Sequence, residues 1–285
     1  MAILYTWSFC SCDNDNTNME GHMKIGIIGD GAIGRYVQQR ALAYGHEIRA
    51  LVLSPRSLQN CTAEHQGTIC VSNVADLPDD IDHMIDCAGH AALKSHGPAI
   101  LHSGTDLTTV SLGALADPDL YEILERAASE GRARLHLASG AIGALDCLRA
   151  ARVGKLQSVT YIGRKPPRSW QGSPAETRLD LNNLTAGAET HFDGSARVAA
   201  TEYPKNANVA AAVALAGIGF DDTQVKLIAD ADITENIHEI QAAGDFGSFS
   251  FEIRGHSLPD NPRSSALAAM SVIAKLEQES QSIVF

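Results

Sequence analysis

Lys24-Ile25-Gly26-Ile27-Ile28-Gly29-Asp30-Gly31-Ala32-Ile33-Gly34 decides the fold of this chain. It begins as a short apolar run and ends as G-x-G-x-x-G. Over residues 32–44, Ile33, Val37 and Leu42 then keep a helical spacing. Residues 46–53 read as a second strand, and the whole closes a βαβ unit of about 30 residues, the length a right-handed parallel crossover requires. By itself the hexapeptide is common in glycine-rich turns, but directly after a strand and opening a helix it marks a dinucleotide site. Gly29 permits the tight turn, Gly31 lets the backbone approach a pyrophosphate, and Gly34 lets the helix pack close to the strand. Backbone N–H groups around Asp30, Ala32 and Ile33, with the positive end of the helix, are then expected to hold the phosphates.

Outward from this unit, residues 68–71, 83–86, 108–110 and 134–137 are strand candidates, and residues 117–130 form a helical stretch. That alternation predicts an α/β fold whose N-terminal Rossmann domain, residues 23–140, is a doubly wound parallel sheet. After Gly140 the pattern changes. Residues 156–163 and 225–229 suggest strands, residues 206–219 an alanine-rich helix, and residues 237–243 and 248–253 a hairpin across Gly244-Asp245-Phe246-Gly247. A second α+β domain with a mixed or antiparallel sheet is expected over residues 141–263, carrying the substrate site and a dimerisation surface. A C-terminal helix over 264–285 is expected to pack back on the first domain. Residues 1–22, with the polar run Asp13-Asn14-Asp15-Asn16-Thr17-Asn18, suggest a flexible leader.

The 34 acidic against 22 basic residues, with no basic cluster, argue against a nucleic-acid partner, because neutralising phosphates needs grouped Lys and Arg. No apolar run reaches about 18 residues, the length of a membrane span, and the N-terminus lacks the basic start of a secretory signal. A cytoplasmic protein is expected. Cys10, Cys12, Cys61, Cys70, Cys87 and Cys147 form no C-x-x-C pair and suggest reduced thiols. No His and carboxylate cluster has metal-ligand spacing, so no metal is expected.

NAD-preferring sites place an acid at the end of the second strand, on the ribose hydroxyl. Here the sequence is Leu53-Ser54-Pro55-Arg56. With no carboxylate at hand, Ser54 and Arg56 suit a 2′-phosphate, which favours NADP acceptance while leaving NAD open. Two histidines stand out as candidate proton carriers. His90 follows a strand at the carboxyl edge of the first sheet, and His238 lies on a strand of the second domain.

Five separated blocks occur in order: Ala138-Ser-Gly-Ala-Ile-Gly-Ala-Leu-Asp146, Arg164-Lys-Pro-Pro167, Tyr203-Pro-Lys-Asn-Ala-Asn-Val-Ala-Ala211, Asn236-Ile-His-Glu239 after Ile228-Ala-Asp230, and Asp260-Asn-Pro-Arg-Ser-Ser265. From Met23 to the C-terminus the chain resembles the L-aspartate dehydrogenase family. The resemblance implies NAD(P)-dependent oxidation of L-aspartate to iminoaspartate, which hydrolyses to oxaloacetate and ammonia or feeds NAD biosynthesis. It implies that Ala141 and Asn208 contact the cofactor and that His238 is the active-site residue. A substrate with two carboxylates needs fixed positive donors. Arg164, Lys165, Lys205 and Asn206 are the candidates, with Lys165 and Asn206 weighted higher. A homoserine-dehydrogenase-like or dipicolinate-reductase-like enzyme shares this layout, and a non-catalytic dinucleotide sensor is the alternative outside enzymes. A symmetric homodimer is the expected assembly.

Overall fold

In a computed structural model of the chain, which describes residues 21–59, 61, 67–204, 207–258 and 261–283, β1 (Lys24–Ile28) is buried on both faces, as a central parallel strand must be. The chain leaves it through Gly29, with φ of 93°, enters α1 (Ala32–Ala43) and returns as β2 (Glu47–Val52). There follow α2 (Pro55–Gln59), β3 (Ile69–Val71), β4 (His83–Asp86), α3 (His90–His102), β5 (Asp106–Thr109), α4 (Pro118–Gly131) and β6 (Leu135–Leu137). The six strands form one parallel sheet in the order β3-β2-β1-β4-β5-β6. The order in which strands are added reverses between β1 and β4, the switch point at whose carboxyl ends open α/β sheets bind ligands, and Gly29 and Ala88 meet there. Helix ends are set locally. Asp117 caps α4 by accepting from the N–H groups of Asp119 and Leu120, ahead of Pro118 in the first turn.

The second half comprises α5 (Leu145–Ala151), β7 (Leu156–Lys165), β8 (Ala188–Ser195), α6 (Ala196–Glu202), α7 (Asn208–Ala216), β9 (Gln224–Asp230), β10 (Asn236–Gly244) and β11 (Gly247–Gly255). The sheet order is β11-β10-β7-β9-β8, antiparallel except between β7 and β9, so it is mixed. The expected hairpin forms with Gly244 opposite Gly247. Strand β8 was not anticipated: a bulge at His191, between the pairs Thr190–Ile228 and Phe192–Leu227, breaks the period-two pattern that announces a strand. The buried α7, rich in alanine, packs close to β7 and α6.

A small ladder, β12 (Ser257–Leu258) and β13 (Asn261–Ser265), leads into α8 (Ala266–Ser280), which returns to the first sheet and lies on α1. Val272, Ile273 and Leu276 share a buried cluster with Ile25, Ile27, Val37 and Leu51. Burial of such side chains is worth roughly 1.5–3 kcal/mol each as an upper figure. Apolar packing therefore anchors α8 more firmly than any one of its polar contacts, such as that of His46 Nε2 with Glu277 Oε1 at 2.7 Å.

One expectation is corrected. Cys61 and Cys70 are joined in a disulfide, because the connection from α2 brings Cys61 beside β3 across a separation that matches no motif spacing. Cys87 and Cys147 are free thiols, while Cys10 and Cys12 lie outside the described residues, as does the expected leader apart from Gly21 and His22. Among the described residues no helix is long and apolar enough to cross a membrane.

Candidate active site

At this switch point, the turn from Gly29 to Gly34 offers main-chain atoms and space. Gly31 caps α1 without a side-chain hydrogen bond, and the first turn of the helix carries no acid, so its leading N–H groups face outward unneutralised. A Cβ at Gly31 would meet nothing within 4 Å, which leaves room for a ligand to lie against the backbone. At Gly34, by contrast, a Cβ would run into the carbonyl oxygen of Gly29, so that glycine serves the turn itself. Asp30 contributes its carbonyl, which accepts from Arg35 Nη1 at 2.7 Å, and Ala32 and Ile33 are half-buried in the first turn. An uncapped helix end with open space before it fits a pyrophosphate. Ser54 and Arg56 stand exposed beyond β2, where the Ser54 hydroxyl accepts from the Ser57 N–H at 3.1 Å.

Beside this turn, at the end of β4, Asp86 is fully buried. Its carboxylate accepts from the Thr109 and Ser111 hydroxyls at 2.7 and 2.6 Å and from the Ala88 N–H at 3.0 Å. Burial raises its pKa against the pull of those donors. Asp86 thereby fixes the loop that delivers His90 to the start of α3. His90 Nε2 lies 2.9 Å from Oδ1 of Asn208, the first residue of α7, and the Gly113 N–H donates to the same oxygen at 3.0 Å. Ala141 is buried on the segment after β6, where the Gly140 N–H donates to Ser271 of α8.

The second sheet carries a different group of side chains. On β10, His238 is 4% exposed, and its Nδ1 lies 2.7 Å from the Tyr161 hydroxyl of β7. Burial, reinforced by the Lys165 charge, pushes His238 down to about 3. Burial also raises the Tyr161 phenol and lowers Lys165 to about 8, which leaves the ammonium charged at neutral pH. Lys165 Nζ sits 5.0 Å from the centre of the buried Trp170 ring, a cation–π contact. His191 meets the same indole edge-on with ring centres 4.4 Å apart, and its Nδ1 is 3.0 Å from the Tyr203 hydroxyl. Burial, then the charges of Arg178 and Lys165, lower it to about 4. Its Nε2 is buried with no hydrogen-bond partner among the described residues.

Arg164 and Lys165, neighbours in sequence, are parted by the strand. Successive residues of β7 face opposite sides. Lys165 lies on the side of Tyr161 and His238, whereas Arg164 turns to the other face and pairs with Asp230 at 2.9 Å. Lys205 and Asn206 lie outside the described residues. Tyr161, Trp170 and His191 were missed by sequence reasoning. Tyr161 had a signal, since it shares with Lys165 the alternation of β7, while the bulge hid His191. Among the described residues one trio groups a histidine with carboxylates: His136 nitrogens lie 3.0 and 3.1 Å from Asp106 and Glu279. Both nitrogens are thus engaged, and Lys275 stands 3.7 Å from Glu279, an arrangement of ion pairs rather than a cation cage.

A Rossmann sheet with an open glycine turn, facing a second domain whose sheet holds a buried histidine and a half-buried lysine, defines a nicotinamide-dinucleotide-dependent oxidoreductase. Residues 25–138 match the NAD-binding domain of homoserine dehydrogenase, and residues 146–279 match the C-terminal domain of aspartate dehydrogenase. The chain is 49% identical over 261 residues to an L-aspartate dehydrogenase of Ruegeria pomeroyi, covering 92% of this chain and 94% of that one. With an L-aspartate dehydrogenase of Pseudomonas aeruginosa it shares 44% over 266 residues, 92% and 99% of the two chains. The crystal structure of aspartate dehydrogenase from Thermotoga maritima aligns with a TM-score of 0.73 at 26% identity, covering 93% of this chain and 99% of that chain. The chain belongs to the L-aspartate dehydrogenase family.

Proposed function

We propose that this protein oxidises L-aspartate at its α-carbon with NAD or NADP, giving iminoaspartate and then oxaloacetate and ammonia, in a reversible reaction. The observation that carries the reading is the placement of a neutral, buried His238 and a half-buried cationic Lys165 on one face of the second sheet. When bound, the nicotinamide dinucleotide supplies the hydride acceptor. Gly29, Asp30, Gly31, Ala32, Ile33 and Gly34 cradle its phosphates, Ala141 and Asn208 contact it, and Ser54 and Arg56 receive a 2′-phosphate, which favours NADP.

Lys165 holds a substrate carboxylate, and the unpaired His191 Nε2 supplies a second donor beside Trp170. Tyr161 fixes the His238 ring through Nδ1, accepting from an N–H there or donating to a bare nitrogen, so Nε2 is the working atom. With the cleft empty, burial and the Lys165 charge hold His238 neutral, ready to accept a proton. Two substrate carboxylates bring negative charge beside it and raise its pKa toward the range for proton exchange with the amine or with a water. A homodimer forms through the second sheet, on the face where the half-buried Ile162 and Ile228 flank the Arg164–Asp230 pair.

Reduced-nicotinamide absorbance with L-aspartate, D-aspartate, L-glutamate and L-homoserine, each with NAD and NADP, tests the reading. Turnover confined to L-aspartate is expected. Turnover on homoserine would keep the fold and overturn the site, and dinucleotide binding without turnover on any substrate would favour a sensor.

A further inference from the structure

His90 is the candidate histidine to which the proposed chemistry gives no task. Its Nε2 is 2.9 Å from Asn208 Oδ1, and the Gly113 backbone nitrogen is 3.0 Å from the same atom. A backbone N–H can only donate, so the Asn208 atom facing Gly113 is the amide oxygen, which settles the orientation of the amide. That oxygen also faces His90, so Nε2 must carry a hydrogen; the other neutral tautomer would set two lone pairs against each other. Both acceptor positions of Asn208 are therefore used, and its Nδ2 hydrogens, which bond to none of the described residues, are the part left for a ligand.

The approach is tight enough to constrain the sequence. A Cβ at Gly113 would lie 2.7 and 2.8 Å from His90 ring atoms and 3.0 Å from Asn208 Oδ1, so a side chain there would push the three groups apart. His90 opens α3 and Gly113 lies in the 3-10 turn after β5, both on the first domain, whereas Asn208 opens a helix of the second domain. Arg197 stitches the same seam, donating to the Ala116 carbonyl while its guanidinium pairs with Asp221.

We propose that His90 is a positioning residue: as an Nε2–H donor it joins Gly113 in locking the Asn208 amide across the domain seam, so that only the Nδ2 hydrogens are presented to the dinucleotide. The cofactor atom met there is then an acceptor, and the grip on the cofactor depends on the two domains being in register. The inference rests on the assignment of Asn208 to the cofactor made above.

The test is a double-mutant cycle on the full chain, with His90→Phe, His90→Gln, Asn208→Ala and the double variant His90→Phe/Asn208→Ala. It is read by NADH and NADPH fluorescence titration and by kcat and KM, with thermal melting as the check on folding. His90→Phe is expected to weaken dinucleotide binding about five- to tenfold, the scale of one lost hydrogen bond. His90→Gln, whose amide can donate in the same direction, should recover to within about twofold of wild type, because it restores the hydrogen bond that phenylalanine removes. In the Asn208→Ala background, His90→Phe should cost nothing more, since residues acting through one another are not additive. Additive losses, or no loss from His90→Phe while Asn208→Ala binds weakly, would overturn the positioning role. If His90→Phe does not fold, failure of the glutamine variant to match wild type would do so. Wild-type affinity in Asn208→Ala would instead remove the cofactor assignment beneath it.

Discussion

The turn at Gly29–Gly34 offers a ligand main-chain N–H groups and empty space, whereas the second sheet offers side chains: Tyr161 and Lys165 from β7, His191 from β8 and His238 from β10. In the turn, what matters is the absence of atoms, and Gly31 has nothing within 4 Å of where its Cβ would be. In the sheet, what matters is how buried groups bias one another, with Lys165 adding to the burial that keeps His238 and His191 neutral. The difference implies separable functions. On the proposed function, a backbone cradle binds without depending on protonation, and a coupled side-chain group carries the pH-sensitive steps.

The largest effect that would break this division is expected at His238. Replacing His238 by Ala should lower kcat by about 10²–10⁴-fold, the usual share of a general acid or base, with dinucleotide affinity nearly unchanged. Equal losses of turnover and cofactor affinity would move His238 into the binding site and merge the two regions.

A smaller and more discriminating effect lies within the turn. Gly31 has φ of −66°, which any residue adopts, and its Cβ would point into open space. Gly31→Ala should therefore melt like wild type while binding dinucleotide about tenfold more weakly, because the methyl occupies ligand space close to the pyrophosphate. Gly34→Ala, whose methyl meets the Gly29 carbonyl, should lower the melting temperature as well. Comparing melting curves with dinucleotide titrations for the pair checks this, and parallel behaviour of the two variants would show that neither glycine is reserved for the ligand.

How much of each region was legible in the sequence follows from the same contrast. The cradle is local, so strand, glycines and helix appear within one stretch from Lys24 to Tyr44, and the six-stranded sheet follows from repeating that alternation. The second region is assembled by register. Family resemblance pointed to His238 and the need for cations near the family blocks pointed to Lys165, but the bulge at His191 erased the alternation that would have exposed β8. Arg164 and Lys165 both stand as candidates in the sequence, with Lys165 weighted higher, and strand geometry separates them: two successive residues cannot share a face, and Asp230 claims the arginine. The link from His90 to Asn208 spans 118 positions and the disulfide from Cys61 to Cys70 nine, and neither spacing belongs to a pattern that sequence alone can interpret.

The smallest effect concerns the end of β2, where the proposed cradle passes from backbone groups to the side chains of Ser54 and Arg56. Arg56 is exposed on α2, so solvent screens any phosphate it meets and the expected gain is modest. Its guanidinium can still grip a 2′-phosphate with two hydrogen bonds, while the Ser54 hydroxyl, already capping Ser57, has less to give. Arg56→Ala should therefore raise the Kd for NADPH by about three- to tenfold and leave NADH within about twofold, since NADH lacks the group that the arginine recognises. Fluorescence titration of both reduced cofactors measures the ratio. A change shared equally by the two would mean that Arg56 acts on the common diphosphate, and that the backbone cradle is assisted by a side chain after all.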